Sequence, residues 1–232
     1  MGDVAREVNL SETTFPSITG PGRYRNRIFT PSIELPFAGH PSLGTAWALG
    51  PGRWEQTTSG SVVTIDVDER RADMSQPEPE FTEVEPEGVA RALGVDGVEA
   101  TFVATAAGNR LLLAATDADL GAARPDQSLL ADLCRRHETV CAGVVRRLDD
   151  SSLHVRVFVP LAGIPEDPGT GAAAGPIAVL ARRMWGTDVD VVIRQGDEIG
   201  RPCRIEVRAL DGGPTVGGAV TLCAEGRFVT PD

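Results

Sequence analysis

The chain has 232 residues, a net charge of −11 and 41% hydrophobic residues, which suits one large domain or two halves of about 100 to 120 residues. Its charges of both signs are scattered, so the sequence lacks the basic stripe that nucleic-acid binding requires. No apolar run approaches the roughly 20 residues of a membrane span, and no signal-peptide segment opens the chain. We therefore expect a soluble, cytoplasmic protein that binds neither nucleic acid nor membrane.

The side-chain inventory excludes several kinds of chemistry. All 22 basic residues are Arg, so a Schiff-base, pyridoxal-phosphate or P-loop lysine is excluded, because each requires a primary amine. The four cysteines show neither a CxxC motif nor a His at ligand spacing, and they are Cys134, Cys141, Cys203 and Cys223. We predict packing cysteines and no metal site.

Hydrophobic periodicity and turn residues predict the elements of the first half. In chain order they are a helix over 1–8, a short strand ending at 15, a strand over 25–30, a helix over 39–49, strands over 54–58 and 61–67, a strand near 73, and a helix over 83–94. Glu12 lies between the first helix and strand, and His40 begins the second helix. Pro77 and Pro79 predict a loop before the last helix.

The second half repeats this kind of succession. In chain order we predict strands over 98–107 and 110–116, a helix over 126–137, strands over 139–147 and 153–159, a helix over 172–184, and strands over 189–193, 203–209 and 219–223. The mixture predicts an α+β fold. Gly94 and the Pro/Glu-rich stretch before it place the boundary near residue 96, between halves 1–96 and 97–232.

Two segments of the chain are copies of one pattern. Arg27-Ile-Phe-Thr-Pro31 and Arg156-Val-Phe-Val-Pro160 lie 129 residues apart, and each precedes an acidic proline turn and a glycine-rich helix N-terminus. We infer a duplication whose two strand-turn-helix elements face each other across one active site. The same offset aligns Glu12 with Cys141. More residues of the second half precede Cys141 than precede Glu12 in the first half, so we expect the first half to lack a strand-turn-strand at its start.

Three polar residues then come together as candidate acid/base groups: Glu12, His40 and Asp167. Isomerisation requires one group to remove a proton from carbon and another to return one elsewhere, and carboxylates and His suit that task in a partly dry cleft. The helix N-termini at Gly39 and Gly171 could hold a substrate carboxylate through their free N–H groups. Neither a dinucleotide-binding glycine motif nor a G-x-S-x-G motif competes with this interpretation.

Four motifs, in this order along the chain, carry a family resemblance. They are Asn9-Leu-Ser-Glu-Thr13, Arg27–Pro31 followed by Glu34-Leu-Pro-Phe-Ala-Gly-His-Pro41, Glu166–Pro176, and Gly200-Arg-Pro202. The sequence resembles the PhzF-like phenazine-biosynthesis family. This resemblance implies a diaminopimelate-epimerase-like fold of two pseudo-symmetric halves, each a curved, mostly antiparallel sheet wrapped around a central helix.

The resemblance also implies a function and a site. It implies a cofactor-independent isomerase that moves a proton between carbons of a small cyclic or amino carboxylate, as in the trans-2,3-dihydro-3-hydroxyanthranilate isomerisation of phenazine biosynthesis, and that works as a homodimer. Glu12 would act as base and then acid, while His40 and Asp167 would bind and polarise the substrate. The implied substrate-binding positions are Ser11, Gly39, Thr170, Gly171 and Ala172.

The sequence departs from the family pattern in two respects, and from that of related racemases in a third. It begins about 30 residues later than the family pattern does, in agreement with the missing strand-turn-strand that the repeat leads us to expect. Ala172 stands where the family usually has Ser. None of the cysteines lies at a helix start, which disfavours the two-thiol chemistry of related racemases. The alternative is a truncated, catalytically silent homologue that binds a small molecule.

Overall fold

The structure, a computed structural model of the chain, describes residues 1–10, 12–106 and 108–228. The α-helices in that part of the chain are α1 (Gly2–Val8), α2 (Gly39–Leu49), α3 (Pro86–Leu93), α4 (Gln127–His137) and α5 (Gly171–Trp185). The strands are β1 (Thr13–Gly20), β2 (Arg23–Phe29), β3 (Glu34–Leu35), β4 (Gly52–Thr57), β5 (Val62–Val67), β6 (Arg71–Ser75), β7 (Glu80–Val84), β8 (Val98–Ala106), β9 (Asn109–Thr116), β10 (Cys141–Asp149), β11 (Ser152–Val159), β12 (Ile164–Asp167), β13 (Asp190–Gln195), β14 (Cys203–Arg208) and β15 (Thr215–Ala219).

All fifteen strands join in one hydrogen-bonded sheet. Its order is β1-β2-β4-β5-β6-β15-β14-β13-β11-β10-β9-β8-β7, and β3 and β12 pair with β2 and β11 outside this path. The pairs β2/β4, β9/β10 and β11/β13 are parallel, and the other pairs are antiparallel. The predicted α+β fold with a mostly antiparallel sheet is confirmed.

The duplication is preserved in the register of the strands. Thr13 of β1 pairs with Phe29 of β2, and Ala142 of β10 pairs with Phe158 of β11, so both partners keep the same offset. Each second strand then takes a short antiparallel strand on one side, β3 or β12, and a parallel strand, β4 or β13. The two pseudo-symmetric halves are therefore confirmed at the level of individual residue pairs.

Each half packs around its own central helix. In the second half every residue from Ala173 to Ala181 is buried, because its many Ala residues let the helix lie close to the surrounding strands. In the first half Ala46 of α2 packs with Tyr24, Ile65 and Met74 of the sheet. A third cluster lies under α3 and α4, on the other face of β8 to β10. The central helices thus begin at Gly39 and Gly171.

The first-half core also contains a buried polar network centred on Gln56. Its Oε1 accepts hydrogen bonds from the Tyr24 hydroxyl at 2.9 Å and from Asn26 Nδ2 at 2.8 Å. Its Nε2 donates to Ser42 Oγ at 2.8 Å, on α2. Because buried polar groups destabilise a core unless they are paired, these contacts explain how Gln56 is tolerated at 0% exposure.

Several predicted elements are wrong. The short strand expected to end at 15 continues to Gly20 as β1. The loop expected after Pro79 is strand β7, which pairs with β8, and the helix after it begins at Pro86 rather than residue 83, since Pro suits the first turn. The last strand covers Thr215–Ala219 instead of 219–223. It fits between β14 and β6 because Gly217 has no side chain; a Cβ there would overlap Asp73 Oδ1.

The boundary near residue 96 stays a prediction. Strand β7 and helix α3 precede it, yet they contact β8 and α4, which follow it. Within the described residues, no helix is long and apolar enough to cross a membrane.

Candidate active site

Glu12 and His40 meet at the N-terminus of α2. Glu12 lies after α1, which ends at Asn9 in the left-handed conformation, and immediately before β1. His40 is the second residue of α2. Glu12 Oε2 lies 3.0 Å from His40 Nε2, and the two side chains are 17% and 60% exposed. The carboxylate is thus largely sheltered from water, while the imidazole beside it remains open to a ligand.

The N-termini of the two central helices are in contact. A Cβ added to Gly39 would lie 3.3 Å from the carbonyl carbon of Gly171 and 3.4 Å from the backbone nitrogen of Ala172. A Cβ added to Gly171 would lie 3.6 Å from the His40 nitrogen. A side chain at Gly39 would be tight against α5, and the close approach brings the first-turn N–H groups of α2 and α5 to one place. Such groups bind anions.

Gln76 links the two halves beside this contact. It follows β6, and its Nε2 donates a 2.9 Å hydrogen bond to the Gly171 carbonyl oxygen. Its backbone nitrogen bonds to Pro214 O at 2.8 Å. The glutamine is 7% exposed, so this tie between the first half and α5 is protected from water.

Asp167 ends β12, four residues before α5 begins. Thr170 Oγ1 donates a 2.5 Å hydrogen bond to Asp167 Oδ2. Thr170 is the N-cap of α5, but its side chain makes no capping hydrogen bond to the helix. Its hydroxyl bonds to the Asp167 carboxylate instead. The N-cap of α2 is Ala38, which has no side-chain acceptor. Neither N-cap side chain thus occupies the anion-binding N–H groups.

A buried ion pair anchors the residue next to Asp167. Arg156 donates to both carboxylate oxygens of Glu166, from Nε at 3.0 Å and from Nη2 at 2.7 Å, and both side chains are 7% exposed. The first-half counterpart joins Arg27 to Glu34 in the same bidentate way. The repeated Arg of the two motifs therefore holds the return strand that leads to each central helix.

A cavity of about 470 Å³ opens beside the Glu12–His40 pair. Residues of β1 and α2 line the rest of it, among them Thr14, Pro41 and Gly44, and Asp167 and Gly171 are not part of this lining. The space is large enough for a small molecule next to the carboxylate.

Two cysteines lie near Asp167. Burial raises the pKa of the Cys141 thiol well above its usual range, and the Cys134 thiol and the Asp167 carboxylate add to the effect. Burial also raises the pKa of Cys203, whose Sγ lies 2.8 Å from where a Gly169 Cβ would be. Cys203 is thus close to the start of α5 in space, although not in sequence. Both thiols are held in the protonated form that reacts poorly.

The predicted site residues form two groups, one in each half, that meet at the contact between the helix N-termini. Glu12 and His40 are in direct contact, Gly39 and Gly171 abut with Ala172 beside them, and Thr170 holds Asp167. Ser11 lies outside the described residues. Their roles toward a substrate stay predictions.

Sequence reasoning missed Gln195. It is 1% exposed, and its Nε2 donates to the Asp167 carbonyl oxygen at 2.7 Å. A signal existed: β13 alternates, with Val191, Ile193 and Gln195 buried, so a polar residue occupies an inward position. The alternation predicts that Gln195 points inward, but it does not predict that Gln195 contacts the loop carrying Asp167.

The chain matches known proteins along nearly its whole length. The family described as Phenazine biosynthesis-like protein (PhzC-PhzF) matches residues 1–226. A Pseudomonas aeruginosa protein named trans-2,3-dihydro-3-hydroxyanthranilate isomerase is 36% identical, covering 98% of this chain and 87% of the relative.

Solved structures agree with this relationship. A predicted epimerase from Pseudomonas aeruginosa superposes with a TM-score of 0.83 at 27% identity, over 99% of this chain and 88% of that one. A hydroxyproline epimerase from Agrobacterium vitis reaches a TM-score of 0.54 at 12% identity, over 90% of this chain and 71% of that one, and shares the fold alone. The expected diaminopimelate-epimerase-like fold is confirmed, and the chain belongs to the phenazine biosynthesis-like PhzC-PhzF family of isomerases.

Proposed function

We propose that the protein catalyses a cofactor-independent proton shift between two carbons of a small cyclic or amino carboxylate. The observation that carries the proposal is the 3.0 Å contact between the sheltered Glu12 carboxylate and His40, located where two helix N-termini meet. A relative 36% identical to the chain is named trans-2,3-dihydro-3-hydroxyanthranilate isomerase, so that compound is the first substrate to test.

The chemistry follows from the positions of the groups. Glu12 removes a proton from a substrate carbon and the electron pair moves along the conjugated system. The O–H of the protonated Glu12 exchanges with water, and Glu12 then delivers a proton to another carbon. The N–H groups at Gly39 and Gly171 hold the substrate carboxylate without a cationic side chain. His40 and Asp167 contact the substrate's amino and hydroxyl groups and polarise them.

Three further features belong to this proposal and rest on the family resemblance: action without a cofactor, a homodimeric state and a cytoplasmic location. Light scattering coupled to size-exclusion chromatography measures the homodimeric state directly. The expected mass is near twice that of the 24.5 kDa chain. A mass of one chain at working concentration would remove the dimer from the proposal.

The alternative of a catalytically silent binding homologue has less support, since the relatives that match along the chain are named isomerases. Incubation of the purified protein with trans-2,3-dihydro-3-hydroxyanthranilate in heavy water distinguishes the two. The isomerase gives an altered absorption spectrum and carbon-bound deuterium in the product. Calorimetric binding with neither change would favour the silent homologue.

A further inference from the structure

Gln195 is a fully buried amide at the end of β13, directly beneath the loop that carries Asp167. It is 1% exposed. Its Nε2 donates to Asp167 O at 2.7 Å and to Thr170 Oγ1 at 3.0 Å. Its Oε1 accepts a hydrogen bond from the Thr170 backbone nitrogen at 3.2 Å. One side chain thus binds both ends of the Asp167–Thr170 loop.

Two backbone groups fix the orientation of this amide. A peptide carbonyl can only accept and a peptide N–H can only donate. Nε2 must therefore face Asp167 O, and Oε1 must face the Thr170 nitrogen. A flipped amide would place Oε1 against Asp167 O, acceptor against acceptor, and Nε2 against the Thr170 N–H, donor against donor. Water does not reach this place to compensate.

The fixed amide in turn fixes the direction of the Thr170 hydroxyl. Its oxygen already accepts from Gln195 Nε2, so its hydrogen is directed to Asp167 Oδ2. Held at one oxygen, the Asp167 carboxylate cannot rotate freely. The chain of donors runs from Gln195 through Thr170 to Asp167, and it ends on a group predicted to contact the substrate.

We propose that Gln195 is a positioning residue, which sets the rotation of the Asp167 carboxylate through the Thr170 hydroxyl. This inference rests on the proposed function, in which Asp167 binds and polarises the substrate. The side-chain hydrogen bonds of Gln195 go to the loop and act through Asp167, so the effect of Gln195 on the reaction disappears when Asp167 can no longer play its role.

The chain offers a matched control in Gln56. It is 0% exposed, and its amide makes three hydrogen bonds, to Tyr24, Asn26 and Ser42. Replacing it by Met removes a similar number of buried contacts without touching the Asp167 loop. A loss that reflects only general destabilisation would appear equally in Gln195→Met and Gln56→Met.

The experiment is a double-mutant cycle between Gln195→Met and Asp167→Asn, with kcat/KM measured on trans-2,3-dihydro-3-hydroxyanthranilate and folding checked by circular dichroism. Because small misplacements of a reacting group are costly, Gln195→Met should lower kcat/KM by about 10- to 100-fold. In the Asp167→Asn background the same change should cost less than about twofold. Gln56→Met should change kcat/KM less than about twofold in both backgrounds.

An equal loss from Gln195→Met in both backgrounds would overturn the proposal, because Gln195 would then act independently of Asp167. If Gln195→Met does not fold, Gln195→Glu replaces it: this variant keeps the size and the acceptor for Thr170, and a buried, protonated carboxyl has one donor hydrogen where the amide has two, so it cannot serve both Asp167 O and the Thr170 hydroxyl. The same comparison then applies to it.

A second readout separates this inference from the proposed function. Carbon-13 labelling of aspartate reports the Asp167 carboxyl resonance, identified by its loss in Asp167→Asn, and needs no turnover. The resonance should move in Gln195→Met and stay in Gln56→Met, even if the wild-type protein does not isomerise the compound. An unmoved resonance in Gln195→Met would refute the positioning role.

Discussion

Glu12 and His40 are 28 positions apart in the sequence, and local conformations at both residues bring them together. The left-handed Asn9 ends α1 and turns the chain into β1, so that Glu12 lies at the corner. Gly39 lets α2 begin against α5, which fixes the neighbouring His40. The site therefore depends on the backbone conformation of Asn9 and on the small size of Gly39 as well as on the acid/base groups themselves.

The two Arg–Glu pairs provide a prediction about single residues. Arg156 and Glu166 are both 7% exposed, whereas Arg27 and Glu34 are 46% and 37% exposed. Arg156→Met leaves a buried carboxylate without its partner, so it should lower the free energy of unfolding by about 3–5 kcal/mol. Urea denaturation measures this loss.

The matched control is Arg27→Met, in which water can solvate the remaining carboxylate. Its loss of stability should be clearly smaller, because exposed pairs contribute little. Equal losses of stability in the two variants would contradict the conclusion that Arg156–Glu166 is the buried one of the two ion pairs.

At the scale of elements, the contact between α2 and α5 is the feature that makes one site from two halves. Each helix begins with a glycine, and the two glycines are adjacent. Ala-rich packing then buries α5 along nine consecutive residues, from Ala173 to Ala181. The helices are consequently fixed at their N-termini by backbone contact and along their length by the core.

Gly39→Ala should destabilise the protein by about 1–3 kcal/mol, the usual cost of overpacking, because the new methyl group would lie 3.3 Å from the Gly171 carbonyl carbon. Gly44, on the same helix, has no neighbour within 4 Å of its Cβ position. Gly44→Ala should therefore stabilise the protein by about 0.5–1 kcal/mol through helix propensity. Thermal unfolding of both variants tests the contact, and a stabilising Gly39→Ala would rule it out.

Most elements could be predicted from the sequence because their apolar residues follow one period clearly. Strand β7 could not, since Pro77 and Pro79 are loop signals and the burial pattern of Glu80–Val84 lacks the alternation of a half-buried strand. Its place at the end of the sheet order comes from pairing with β8, a tertiary contact. Strand β15 was misplaced for a similar reason: Gly217 and Gly218 carry no hydrophobic signal, and β14 and β6 determine their conformation.

At the scale of the whole molecule, the internal repeat and the family resemblance predict a site at Glu12, His40 and Asp167, but neither of them points to Gln195. The repeat aligned the two helix N-termini, and the family resemblance pointed to the same three residues. Gln195 belongs to no repeated motif. Its importance arises from the loop above it, and only the three-dimensional structure shows that contact.

Cysteine accessibility tests the assembled fold. Cys134 and Cys141 are 0% and 2% exposed, and burial raises the pKa of both thiols, so little reactive thiolate forms at mild pH. Cys223 is exposed. Iodoacetamide followed by peptide mass spectrometry should find Cys223 labelled in the native protein, and Cys134 and Cys141 labelled only in denaturant. Native labelling of Cys141 at the rate of Cys223 would be incompatible with the β9–β10 pairing that covers it.

The central claim is that Glu12 transfers the proton, and Glu12→Gln tests it most directly. With trans-2,3-dihydro-3-hydroxyanthranilate in heavy water, this variant should lose turnover by at least about 10²-fold, as expected for a missing general base, together with deuterium uptake at carbon. The control Glu7→Gln, at an exposed position of α1, should keep both, and both variants should retain the wild-type circular dichroism spectrum. Wild-type deuterium uptake in a folded Glu12→Gln variant would contradict the account.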